Sequence, residues 1–243
     1  MHAFLHWLHG FRPAPTTASR RERILGCVGA ALGLWATEVV ARHALGELNP
    51  WFIAPMGASA VLLFAVPASP LAQPWSIVGG NLIAACVGVA AGLLLGHTGF
   101  AAAVAAAIAI ALMFEARCIH PPSGAVALTA VLGGPAVYRL GFGFVLWPVL
   151  LDSLLLLAYA LLFNNALQRR YPHRISDRAN VNHQVSPPLP AGGGVTRDDL
   201  RAVLSARGEL VDISEEDLEE IIYAAEMRAL FRASRTTANP PAA

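Results

Sequence analysis

Residues 101–114 read AAAVAAAIAIALMF, fourteen positions with no polar side chain on any helical face. A helix on the surface of a soluble protein keeps an apolar stripe and a polar remainder. One that is apolar all round belongs in a large core or in lipid. This run lies within 100–114, one of six apolar stretches, the others being 24–45, 51–66, 76–96, 119–132 and 141–163. The stretches 24–45, 76–96 and 141–163 reach the roughly 20 residues that a helix needs to cross about 30 Å of hydrocarbon. A soluble helical core would require polar faces on its outer helices, which these segments lack. The fold class is therefore all-α, a polytopic helical bundle in a membrane.

Composition supports this reading. Of 243 residues, 56% are hydrophobic and 14% charged, where a soluble domain carries about a quarter charged. Only seven of the charged residues fall within 24–163: Glu38, Arg42, Glu47, Glu115, Arg117, Arg139 and Asp152. The chain divides into a cytoplasmic N-terminal segment (1–23), a transmembrane domain (24–163), a Pro- and Gly-bearing linker (164–194), a short helical cytoplasmic tail (195–232) and a disordered C-terminus (233–243). Lysine is absent and the net charge is +1, which leaves no basic field for nucleic acid. Cys27, Cys86 and Cys118 show no CxxC pairing and read as small apolar residues. Arg12, Arg20, Arg21 and Arg23 precede the first span, and Arg169, Arg170, Arg174 and Arg178 follow the last, so both termini are expected in the cytoplasm. Histidines and prolines interrupt the opening MHAFLHWLHGFRPAPTT, which does not read as a cleavable signal peptide.

The apolar block repeats itself. A shift of 67 residues lays Pro55-Met-Gly-Ala-Ser-Ala on Pro122-Ser-Gly-Ala-Val-Ala, and carries 76–96 onto 143–163. Each half then holds a long element, a short Pro-Gly element and another long element. The short helices are expected to start at Pro55 and Pro122, where proline suits the first helical position, and to end by Pro67 and at Gly133-Gly134-Pro135. If both cross the membrane as discontinuous helices, each half has three crossings and the halves are inverted. If both are re-entrant, four spans remain and the halves are parallel. The 67–74 loop separates the two arrangements, being cytoplasmic with six crossings and external with four. The six-crossing arrangement is preferred.

Cys118-Ile-His120-Pro121-Pro122-Ser-Gly-Ala stands where the second broken helix begins. Together with Asn49-Pro50, Ala54-Pro-Met-Gly-Ala-Ser-Ala-Val-Leu-Leu-Phe and Pro70-Leu-Ala-Gln-Pro74, it makes the chain resemble the HPP family of integral membrane proteins over roughly residues 20–165. The resemblance implies a polytopic membrane domain, with nitrite transport described for plant and cyanobacterial relatives. The tail from Val195 to Arg232 resembles the linker that joins some HPP domains to CBS nucleotide-sensing motifs, and regulation of the kind such motifs give is not expected.

The candidate site follows from the helix starts. Unpaired N–H groups of Met56, Gly57 and Ala58, and of Ser123, Gly124 and Ala125, would favour an anion. Pro55 and Pro122 open these helices, and Pro121 belongs to the same turn. Gly57 and Gly124 would admit an ion to the backbone, and the hydroxyls of Ser59 and Ser123 would add donors. The competing reading gives these glycines to close helix packing. His120 could pair with the anion, shuttle a proton or cap a carbonyl. Arg117 either pairs with Glu115 or meets the substrate with its planar fork. Asp152 lies midway along an otherwise uncharged span, as a hydrogen-bonded structural acid or the proton-coupling residue.

The expected function is transport of a small inorganic anion, such as nitrite or nitrate, across a bacterial inner membrane. The alternative is a membrane-embedded channel or sensor whose tail recruits a partner. No enzyme, cofactor or metal site is expected. The expected partners are the anion, the lipid bilayer and, for the tail's Leu218, Ile221, Ile222 and Ala225 stripe, a docking surface or a second copy of the chain.

Overall fold

The computed structural model describes residues 19–45, 54–173, 213, 218 and 221–223. The expected linker beyond residue 173, most of the expected helical tail and the C-terminus lie outside them, as do Arg12 and Asn49. Among the described residues there is no strand. Ser19 and Glu22 open helix α1 (Arg20–Leu45) with a reciprocal cap, Ser19 N donating to Glu22 Oε2 at 2.7 Å and Glu22 N to Ser19 Oγ at 3.2 Å. There follow α2 (Ala54–Ala65), a single 3₁₀ turn at Pro70–Ala72, α3 (Pro74–Leu95), α4 (Gly99–Glu115), α5 (Pro122–Leu132), α6 (Pro135–Leu140) and α7 (Leu151–Ala166). A kinked segment, Val145–Leu150, leads into α7: Trp147 breaks the winding at φ −133° and ψ 105°, and Pro148 after it has no N–H to give. Among the described residues three spans are long and apolar enough to cross a membrane, Arg20–Val40, Pro74–Leu95 and Val145–Ala166, and α2, α4 and α5 are shorter apolar helices.

Hydrogen bonds between elements set the direction of each helix. At one end of the bundle Arg169, just past α7, donates from Nη2 to Glu22 O at 3.3 Å and from Nη1 to Phe64 O at 3.2 Å. The start of α1, the end of α2 and the end of α7 therefore share that end. Tyr171 Oη donates to Ala72 O at 2.7 Å and Trp75 Nε1 to Ala116 O at 3.0 Å, which adds the 67–74 loop, the start of α3 and the end of α4. At the opposite end the His97 ring, after α3, meets Val131 O at 2.9 Å and stacks on Tyr138 of α6 with centroids 3.4 Å apart. Thus α1 and α4 run in opposite directions, as do α2 and α5, and α3 and α7. The two three-element halves are inverted, and the 67–74 loop shares an end with residues 19 and 173.

Small residues let the helices approach. Gly80, Ala84, Gly88 and Gly92 fall four apart on one buried face of α3, which lies along α5. A Cβ on Gly88 would stand 2.6 Å from Ala130 Cβ and 2.7 Å from Ala127 O. On α1, Gly29 and Gly33 receive Phe64, Tyr159 and Phe163, whose rings meet edge-on or stacked at 5.6–5.8 Å. Ile24, Val28, Leu32 and Trp35 on the opposite side of α1 are exposed and form the face for lipid. Cys118 is buried against Gly79, whereas Cys27 and Cys86 are exposed.

The stretch 100–114 becomes α4 to within a residue, after Gly96 at φ 79° ends α3 and Thr98 caps α4 through Ala101 N. One boundary differs from the sequence reading: the helix expected to end at 163 runs on in α7 to Ala166, and Asn165 binds the Tyr171 backbone on both sides.

Two outcomes are expected. Gly88→Leu lowers unfolding stability in detergent by about 1–3 kcal/mol through overpacking. Gly99→Leu, where a Cβ meets nothing within 4 Å, changes it by no more than about 0.5 kcal/mol. In membranes, cysteines placed at Ala68 and Gln168 react with an impermeant maleimide from one face and a cysteine at Thr98 from the other; labelling of Ala68→Cys and Thr98→Cys from a common face contradicts the inverted arrangement.

Candidate functional site

Alpha-helix α5 is only 11 residues and α2 only 12, about 17 and 18 Å at 1.5 Å per residue, so neither covers the hydrocarbon by itself. A Cβ on Gly80 would stand 2.8 Å from Ser123 Oγ, which places the start of α5 about 9 Å along α3. Residues 116–121 carry the chain down to that depth, turning where Arg117 takes a positive φ of 53°.

His120 sits on this descending segment with no exposed surface. Its Nδ1 is 2.9 Å from Leu71 O and its Nε2 2.9 Å from Ser59 Oγ. A carbonyl only accepts, so Nδ1 carries the hydrogen and the bare Nε2 of the neutral ring accepts the Ser59 hydroxyl. The imidazole thus ties the second half to α2 of the first half and to the 70–72 turn. Of the three roles considered for His120, this geometry corresponds to the carbonyl-bound link.

A second chain of bonds crosses the bundle beside it. Ser123 Oγ donates to Asn81 Oδ1 at 2.8 Å, Asn81 Nδ2 to Ser153 Oγ at 2.9 Å, and Ser153 Oγ to Val149 O at 2.6 Å. All three side chains are buried. Asn81 and Ser153 were missed by sequence reasoning, although a lone Asn in a 22-residue apolar helix is a readable signal. Asn164 is similar: its amide donates to Leu63 O at 3.0 Å, and its buried Oδ1 has no hydrogen-bond partner among the described residues.

These bonds correct the expected anion cradle. Ser123 N donates to His120 O at 2.9 Å and Gly124 N to Pro121 O at 3.1 Å, so neither group is unpaired. Pro121 is already helical at φ −53° and ψ −39°, so the winding starts one residue early and those carbonyls lie toward the first donors. The hydroxyls of Ser59 and Ser123 are likewise engaged, to His120 and Asn81. At Gly57 and Gly124 a Cβ would find nothing within 4 Å, so these two glycines do not serve close packing, unlike Gly80 and Gly88. Pro55 and Pro122 are buried, while Ala58 and Pro121 are exposed.

Arg117 and Glu115 are both exposed at the loop end, and no ion pair joins them; Arg117 does not reach the buried residues. Gln73 is structural: it donates to Ser69 O at 2.8 Å and accepts from His173 N at 2.9 Å. Near it Tyr171 is almost wholly enclosed, and burial pushes its phenol above the usual range. Asp152 has no exposed surface, and neither carboxyl oxygen has a hydrogen-bond partner among the described residues. Leaving a buried polar group unsatisfied costs about 1–3 kcal/mol, and far more if it is charged.

Residues 15–172 match the family model of the HPP transmembrane region. The chain belongs to the HPP family. Its His-Pro-Pro motif is the segment that His120 anchors between Leu71 and Ser59. A Dictyostelium discoideum transmembrane protein is 40% identical over 136 residues, covering 54% of this chain and 47% of that protein. Another transmembrane protein of the same organism is 40% identical over 175 residues, 70% of this chain and 56% of the relative. The chain spans about half the length of these curated relatives. No solved structure matches it significantly.

The His120 link is measurable. In a double-mutant cycle of Ser59→Ala and His120→Ala, unfolding in detergent should show a coupling of about 0.6–1.7 kcal/mol, the range for hydrogen bonds between membrane helices. Strict additivity would mean the bond contributes nothing.

Proposed function

We propose that this multi-pass membrane protein carries a small inorganic anion of the nitrite or nitrate kind across the cell membrane by alternating access, its loop end facing the cytoplasm. One observation carries the reading. Two short proline-led helices from inverted halves lie inside the bundle, tied across the halves by the 2.9 Å bond between Ser59 and His120. Inverted repeats with interrupted helices at mid-depth are the architecture of secondary carriers, and their rocking alternates access to the site between them.

The internal bonds fit this reading as a closed arrangement. When the halves part, the Ser59–His120 and Ser123–Asn81 bonds open together and release two hydroxyl donors in the first turns of α2 and α5. In a low-dielectric interior those donors require a new acceptor, and a small oxyanion supplies it. Arg117, at the loop end, acts on the approaching anion rather than in the buried site. The arginines flanking the first and last spans support a cytoplasmic placement of that end.

The test is flux in proteoliposomes containing the full chain. Nitrite or another small oxyanion should enter faster than into empty vesicles; equal rates across an anion panel and under imposed proton gradients would end the carrier reading. His120→Ala and Gly124→Leu should abolish flux while leaving membrane insertion intact. No neighbour lies within 4 Å of the Gly124 Cβ position, so the substitution does not begin from a close helix contact. Normal transport by both variants would remove the α2–α5 seam from the mechanism.

A further inference from the structure

Asp152 is the one fully buried carboxylate among the described residues, and the proposed anion path leaves it unused. Spacing along α7 puts it on the flank of Leu156, Tyr159 and Phe163, and the latter two turn to α1 and to Phe64 of α2. The elements packed against α7 are α1, α2, α3 and the kinked Val145–Leu150 segment. Sequence places Arg20, Arg21, Glu22, Arg23, Cys27, Glu38, Arg42 and His43 on α1 and Cys86 on α3, with no titratable residue on α2 or at Val145–Leu150; α7 itself adds Tyr159. Among the described residues neither Asp152 carboxyl oxygen has a hydrogen-bond partner.

Such a group is tolerated inside a bundle as the neutral acid, which needs less solvation than the anion. Its helix neighbour is Ser153, which receives the Asn81 amide and gives its own hydroxyl to Val149 O. Through Asn81 the chain of bonds reaches Ser123 in the first turn of α5. A charge appearing at Asp152 is thus one residue from the end of a bonded path that stops where the anion is handled.

We propose that Asp152 is the proton-binding site of the carrier and that Asn81, bonded to Ser123 and to Ser153 beside Asp152, ties the turn that bears it to the start of α5. The inference rests on the transport reading for its use but not for its detection. With the site sealed, Asp152 holds a proton; when the halves part and water reaches it, the proton leaves as H⁺ and the carboxylate remains. The charge on α7 then disfavours resealing until a proton returns, which ties each closure to proton uptake.

Infrared spectroscopy of the full chain in lipid reads the site without transport. At neutral pH a carboxylic-acid carbonyl band is expected that disappears in Asp152→Asn, persists in Asp152→Glu and shifts in Asn81→Leu. Absence of an Asp152-dependent band overturns the proposal whatever the flux shows. With nitrite as the probe in proteoliposomes, the ratio of uptake under an inward proton gradient to uptake without one should fall about tenfold in Asp152→Asn, the scale of a 1.4 kcal/mol coupling. A ratio equal to wild type overturns it as well. If wild type moves no anion yet shows the band, the carrier reading fails and the proton site stands.

Discussion

Close approach between α3 and α5 is the constraint on which the rest of the structure depends. Lipid offers no hydrophobic gain for helix association, so membrane helices hold together through packing and interhelical hydrogen bonds. The Gly80, Ala84, Gly88 and Gly92 face of α3 brings the two backbones near enough that a methyl group at Gly88 would collide with α5. That approach puts Asn81, one residue beyond Gly80, within reach of Ser123 on one side and Ser153 on the other. It also lodges His120 against α3, since a Cβ at Gly80 would meet His120 Cβ at 2.9 Å. Without the small-residue face, the polar side chains would be buried without partners.

The duplication is symmetric in its scaffold and asymmetric in its chemistry. At the 67-residue shift Pro55 matches Pro122 and Gly57 matches Gly124, and α2 and α5 coincide to within one residue. Five of the buried polar residues have apolar counterparts: Ser59 corresponds to Val126, Asn81 to Pro148, Ser123 to Met56, Asp152 to Ala85 and His120 to Ile53. Each half therefore supplies what the other lacks. Ser59 and Asn81 come from the first half, and His120, Ser123 and Ser153 from the second. Both buried networks are bridges between halves, which a symmetric pair of sites would not require.

Much of the fold was legible because it follows from strong local physics. Long apolar runs marked α1, α3 and α7, and the prolines at 55 and 122 marked the short helices to within a residue. The site was less legible. Free amides at Ser123 and Gly124 were a reasonable expectation for a helix opening at Pro122, but two consecutive prolines restrict φ at both positions, and the winding began at Pro121. The engagement of the Ser59 and Ser123 hydroxyls depended on partners 61 and 42 residues away, which no local pattern encodes. The strap from 167 to 173 was hidden for a related reason: Arg169 and Tyr171 look like ordinary flanking residues until the ends of α1 and α2 and the 70–72 turn are brought to them.

The strength of the bridges bears on the carrier reading. Hydrogen bonds between membrane helices average about 0.6 kcal/mol and reach about 1.7 kcal/mol. The Ser59–His120, Ser123–Asn81 and Asn81–Ser153 bonds therefore favour the closed halves by a few kcal/mol at most. A bias of that size leaves the open arrangement populated at about 0.1–10%, low enough to prevent leak and high enough to be selected by a ligand of modest affinity. A much stronger lock, such as a buried ion pair, would demand a ligand of correspondingly greater differential affinity. Neutral side chains linked in series give a closure that a small, weakly bound anion can reverse, and this matches the absence of any ion pair among these buried bridges.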